Sequence, residues 1–337
     1  MTRQARLALS AILVVAGIAV VFVSQGSKPA AAGEVFLQAS GEAGGEVFMP
    51  SVAAPLPAGA ATNVAEFPRP SRGDAHATSA KSEGLYGGQR DVASCDTVAL
   101  VRYLEAKPTV GDAWARVVGI QPSEIAAYVA TLTPALLLSD TRVTEYGLAA
   151  GRAVPKQSIL QATTAVLLDR TAFPRVRCAS GNPLSTPQAL ASKPRYSGPR
   201  WPRFSETAVT LITPAPTTVV VTLVDVVTGA PFGRVPGSTT IVDIDLPAAG
   251  ETVLIAEPGG RARIAGANWP AGTPVTVTFD EPAAELGGDI ADGSGNVTVN
   301  ITIPRAAPLG PHVITSAGGG FAFTQDLYVI PPAVRRR

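Results

Sequence analysis

The sequence predicts an N-terminal transmembrane helix, then an α+β domain built as a short helical bundle packed on a small antiparallel sheet, then an all-β immunoglobulin-like sandwich. Three observations carry this. An uncharged apolar run fills Leu7 to Val23. Amphipathic stretches succeed one another between Ser94 and Leu132, after which the pattern turns to short strands. From residue 248 onward, apolar residues alternate at strand period between Pro-Gly, Ala-Gly and Ser-Gly turns. Composition agrees: 46% hydrophobic residues supply cores, while 33 glycines, 30 prolines and only 6% aromatics fit turn-rich β modules. The 337 residues leave room for about two domains with connecting segments.

Taken in order, residues 1–6 form a cytoplasmic tip carrying Arg3 and Arg6. Positive charge ahead of an apolar run places the N-terminus inside and everything after it outside. The segment 7–24 reads as a transmembrane helix or signal anchor, just reaching the ~17–25 residues a span requires. Cleavage near Ala32, within Ala30-Ala31-Ala32, is the alternative and yields a secreted protein. Residues 25–83 read as a flexible Ala/Gly/Pro-rich stalk. It contains an approximate repeat, Gly33-Glu34-Val35-Phe36 and Gly45-Glu46-Val47-Phe48. It also contains Arg72-Gly73-Asp74, an adhesion tripeptide that chance supplies easily.

The α+β domain spans 84–246. Ser94 is placed to cap a helix bearing Val98, Val101 and Leu104 on one side. Thr109 and Asp112 resemble a capping box, Gly119 can close that second helix, and Pro122 suits the start of a third. Strands are expected at Arg142–Tyr146, Ser158–Gln161, Thr164–Leu168, Arg175–Cys178, Ala208–Ile212 and Thr217–Asp225. The sandwich spans 247–331, with clear alternation in Val275-Val277-Phe279 and Val297-Val299-Ile301-Ile303, and 332–337 form a tail. Gly266, Trp269 and Gly272 ahead of Val275-Thr276-Val277, with Ala307 and Gly310 later, resemble immunoglobulin-like modules of bacterial surface proteins.

Candidate chemistry is sparse. A net charge of +1 gives no footprint for nucleic acid. The two histidines, His76 and His312, fall outside the α+β domain, so a Ser-His-Asp or Cys-His site has no base there and zinc lacks ligands. No cofactor and no metal are expected. Asp289 to Asn296 lacks the distal acidic residue of a calcium loop and reads as a hairpin turn. Among carboxylates, Asp140 is the one of interest, and its neighbour Arg142 makes a structural ion pair the simplest reading. Cys178 admits three roles, as reactive thiol, metal ligand or half of a staple. Export decides it: in an oxidising compartment Cys95 and Cys178 are expected to pair.

The motifs GLYGG (Gly84–Gly88), SCD (Ser94–Asp96), LTPALLLSDTRVTEYG (Leu132–Gly147), QSILQATTAVLLD (Gln157–Asp169) and CASGNPL (Cys178–Leu184) occur in one order. Together they resemble a family of unknown function found in exported, often membrane-anchored actinobacterial proteins, over roughly residues 34–52 and 84–236. The resemblance implies location and architecture and carries no activity. One departure is Ser180, where relatives usually carry a second cysteine, so that here a single intramolecular pairing is available.

The expectation for function is a non-enzymatic, membrane-anchored extracytoplasmic envelope protein with a binding or structural role, the sandwich serving as spacer or adhesion unit. A cell-wall polymer or envelope protein is the expected partner. The alternatives are a carboxylate-dependent enzyme of wall carbohydrate centred on Asp140, and a sensory ectodomain working with a membrane partner.

Overall fold

The computed structural model describes residues 33–66, 77–190, 192–216, 220–236, 241–246, 254–330 and 332. The tip, the apolar run 7–24, the cleavage site near Ala32, Arg72-Gly73-Asp74, His76 and most of the tail lie outside the described residues. No helix among the described residues is long and apolar enough to cross a membrane, so the expected transmembrane helix has no counterpart among them.

The expected α+β class needs correction, because strands dominate. The first unit is organised on a 14-stranded sheet that mixes parallel and antiparallel pairs, far larger than the small antiparallel sheet expected. Its path runs from Arg195–Ser197 through Glu34–Gln38, Arg152–Leu160 and Thr141–Ala149 to Asn182–Ser185 and Pro174–Arg177. It continues through Ala165–Leu168, Thr133–Leu137, Tyr86–Gly88, Val221–Asp225 and Pro231–Arg234 to Asp243–Ile244. Several of these strands contain Pro or Gly, residues that punctuate sequence patterns. They survive inside the sheet because neighbouring strands supply the backbone partners that local propensity does not.

The stalk is corrected as well. Residues 33–66 are built into the fold. Glu34–Gln38 lies parallel to both Arg195–Ser197 and Arg152–Leu160, with Val35 and Leu37 turned into a small core against Ile159. Phe48 and Met49 enter the main core.

Three short helices cover that core, as the amphipathic stretches indicated, but they line a sheet and do not form a bundle of their own. Thr97–Ala106 buries Leu100 and Leu104, and Pro108–Val118 buries Trp114 and Val118. Ile125–Val129 buries Ile125, Tyr128 and Val129. The Trp114 and Tyr128 rings meet edge-on at 5.8 Å. The first cap is Asp96, not Ser94: its carboxylate accepts the Ala99 N–H at 2.8 Å. The Thr109–Asp112 capping box does not form, because Pro108 already occupies the first turn behind Lys107. Gly119 closes the helix as read, in the left-handed region at φ 78°, donating to the Ala115 carbonyl.

The second unit, from Leu254, sets a five-stranded sheet against a two-stranded one. Val275, Val277 and Phe279 from one sheet and Val297, Val299 and Ile301 from the other share a core with Trp269 and Leu327. The two units meet in an apolar cluster of Val235, Val242, Ile244 and Ile330, beside an Arg170–Glu257 ion pair at 2.6 Å.

Candidate functional site

The cysteines are bonded, Cys95 to Cys178, with Cα atoms 5.9 Å apart and 83 positions between them in sequence. The chain at Phe48–Ala54 crosses this bond as a strap. Phe48 and Met49 donate to the Ser180 carbonyl, Val52 donates to that of Cys178, and Ala54 donates to that of Ser94. Asp96 returns a bond to Val52, so the strap pairs with both cysteine-bearing segments. Next to Cys178, Arg177 is fully buried and forms an ion pair with the equally buried Glu145 at 3.2 Å. Its guanidinium also donates to Gln38 Oε1 and to the carbonyls of Ala39, Glu42 and Ala43. Glu145 in turn accepts from Ser158 Oγ and Asn182 Nδ2, both at 2.9 Å. Every contact here fixes one piece of chain to another, which makes the knot a fastening and not a reacting centre.

Asp140 and Arg142 are placed differently from the expected ion pair. Asp140 accepts from the Ala162 N–H at 2.9 Å and from Trp201 Nε1 at 3.0 Å. Arg142 donates to Gln157 Oε1 at 3.1 Å and to the Gln188 carbonyl, and burial pulls its pKa down. Asp140 lines a cavity of about 160 Å³ with Ser139, Thr163 and Arg203. That is below the ~300–1,000 Å³ of small-molecule sites. Two further carboxylates of the first unit are similarly engaged: Asp169 accepts from Thr171, Phe173 and Arg175, and Glu124 accepts from the Gln121 N–H. His312 sits between Asp280 Oδ1 at 2.8 Å and the Pro308 carbonyl at 2.9 Å, stacked on Phe279. Asp292 caps its own turn by accepting from Ser294 and Asn296, but the turn is not the expected hairpin: it carries the chain from Ala284–Ile290 in the five-stranded sheet to Val297–Thr302 in the two-stranded one.

A larger cleft, of about 650 Å³, opens where the two units meet. One wall is the end of the first unit, Ile244 to Leu246. The opposite wall comes from Ile264–Ala267 and Trp269, and from the strand Phe321–Val329. That strand explains the opening. Phe321, Phe323, Gln325, Leu327 and Val329 share one face by strand alternation. Leu327 and Val329 are covered by the sandwich, whereas Phe323 remains 51% exposed and packs edge-on against Trp269 at 5.0 Å. Trp269 Nε1 is buried and has no hydrogen-bond partner among the described residues. At the mouth, Arg90 pairs with Asp245 at 2.7 Å. Burial raises the Tyr328 pKa, and the charges of Asp326 and Asp245 add to it. Sequence reading missed Phe323, Tyr328 and Asp245; the two aromatics of Phe321-Ala322-Phe323, which the fold leaves exposed, were a signal for Phe323 alone.

No curated protein matches the chain. Among solved structures, a carbohydrate acetylesterase from Xanthomonas citri aligns over 23% of this chain at 23% identity, with a TM-score of 0.18. The chain spans 16% of that protein's length, and so slight a likeness carries no argument. Residues 76–237 match the model of the family described as a domain of unknown function (DUF6777).

Proposed function

We propose that this chain is a non-enzymatic binding protein on the extracytoplasmic side of a bacterial cell envelope, of the actinobacterial kind, with a wall polymer or an envelope protein as its partner. The observation that carries the reading is the cleft between the units, whose volume lies within the range of ligand sites and whose lining joins aromatic surface to hydrogen-bonding groups. The Cys95–Cys178 bond supports the location, since such bonds persist in oxidising compartments. The carboxylates of the first unit described above support binding over catalysis, because they are engaged in caps, turns and buried pairs. The test is retention of the full chain on isolated cell wall, measured against an unrelated β-sandwich protein. Retention above that control is expected; equal retention overturns the proposal.

A further inference from the structure

We infer that the cleft between the units binds a neutral glycan, with a sugar ring laid on Phe323 and its hydroxyls bonded to the acidic and amide groups around it. The inference rests on the reading of the chain as an envelope binding protein and gives the ligand's chemical class. Phe323 is the starting point. It is half exposed, yet its ring is held by Trp269 at 5.0 Å and an interplanar angle of 79°. A fixed aromatic face left open to water gains by covering an apolar surface, and its ordering cost is already met by the packing behind it. A sugar ring offers such a surface in its C–H face.

The polar lining narrows the class. Gln325 shares Phe323's face of the strand, Asp326 and Tyr328 border the same cleft from the strand's other face, and Asp245 lines it from the first unit. Carboxylates and an amide oxygen accept hydrogen bonds from hydroxyls, while the Tyr328 hydroxyl is kept protonated and able to donate. An anionic ligand meets two carboxylates here, and the cation at the mouth, Arg90, is already bonded to Asp245. Phosphate-bearing polymers and nucleic acids are therefore disfavoured. A cationic peptide is the competing class. It needs uncompensated, enclosed negative charge, whereas the Asp245 side chain is 90% exposed and ion-paired. What remains is hydrogen-bond acceptance around an aromatic floor, which suits a ligand with an apolar face and a hydroxyl rim.

The experiment is calorimetric titration of the full chain with neutral tetrasaccharides of N-acetylglucosamine, mannose and arabinose, and separately with tetralysine and inorganic phosphate. One of the tetrasaccharides binds, and Phe323→Ala and Asp326→Asn each weaken it by about tenfold or more, roughly 1.4 kcal/mol. Tyr328→Phe weakens it less. Val98→Ala, on an exposed helix surface away from the cleft, leaves it unchanged. Thermal unfolding of each variant establishes that it is folded. Binding of tetralysine or phosphate instead, tetrasaccharide binding indifferent to Phe323, or no tetrasaccharide binding at all overturns the inference. If Phe323→Ala abolishes tetrasaccharide binding, cell-wall retention of that variant shows whether the cleft also carries the wall contact. Wild-type retention with no tetrasaccharide binding leaves the envelope reading standing and removes only the glycan.

Discussion

Arg177 is the residue with most at stake. Its charge lies in the interior and is offset by Glu145, while its terminal nitrogens also donate to Gln38 Oε1 and to the backbone carbonyls of Ala39, Glu42 and Ala43. Removing one partner of a buried ion pair strands the other, at about 3–5 kcal/mol. Glu145→Gln should therefore lower stability by about that amount in denaturant unfolding. Arg177→Met should cost more, because the Ala39 and Ala43 carbonyls lose their donor too. Limited proteolysis separates the two: cutting near residues 39–47 rises in Arg177→Met and not in Glu145→Gln, and equal cutting in both would refute the clamp. None of this was readable from Arg177 alone, which in sequence is one charge at a strand end. A residue in the second unit gives a pH prediction. Burial works against ionised Asp280, but the Val313 N–H, His312 and the Glu281 N–H outweigh it and hold its carboxyl below the usual range. A carboxyl with a depressed folded pKa contributes stability above its unfolded value, about 3.9, and loses it as pH falls through the folded value. Asp280→Asn should thus unfold at a temperature less dependent on pH across that acid window. An unchanged slope would show that these bonds contribute nothing to the folded carboxylate.

At the scale of elements, the strap shows why local pattern misled. The repeat Gly-Glu-Val-Phe occurs twice in the strap region, yet residues 34–38 form a strand between two others while Phe48 and Met49 turn into the core without strand structure. The same four letters adopt two shapes because their partners lie over a hundred positions away, at 158–160 and 178–180. Such long-range pairing leaves no periodic trace, so the segment reads as a linker. The helices, whose faces are set by residues three and four apart, were legible in place and approximate only at their caps. The sandwich strands were legible because their alternation is local, and the cysteine pairing followed from an expectation of export and a count of two. Two expectations follow for the strap. A chain beginning at residue 55 should lose its cooperative thermal transition, whereas one beginning at residue 33 keeps it; a truncated chain that melts normally would mean the strap is an accessory. Replacing both cysteines by serine removes a long-loop constraint of about 4–5 kcal/mol at most. Amide exchange at Met49 and Val52, whose acceptors lie on the Ser180 and Cys178 carbonyls, should then speed up more than at strand Ala165–Leu168. Uniform acceleration would deny any local link between bond and strap.

The whole molecule depends on how its two units are joined. The sequence places a boundary near 246, but the structure buries apolar side chains across it: Val235, Val242 and Ile244 from the first unit meet Ile330 from the second. Ile330 also donates its backbone N–H to the Ala256 carbonyl, which fixes the end of the last strand where the cluster needs it. Burial of this kind stabilises by about 25 cal/mol per Å² of apolar surface, enough for a modest junction to couple two folding units. The cleft depends on that coupling, since Asp245 and Leu246 come from one unit and Phe323 and Tyr328 from the other. Ile330→Asp puts a carboxylate into the cluster at a residue that does not itself line the cleft. Scanning calorimetry should then show the single transition of the native chain dividing into two. The same variant should lose tetrasaccharide binding at temperatures where both units are still folded by circular dichroism. A native chain that already melts in two steps, or an Ile330→Asp chain that binds as well as the native one, would show that the units act independently and that the cleft does not need their alignment.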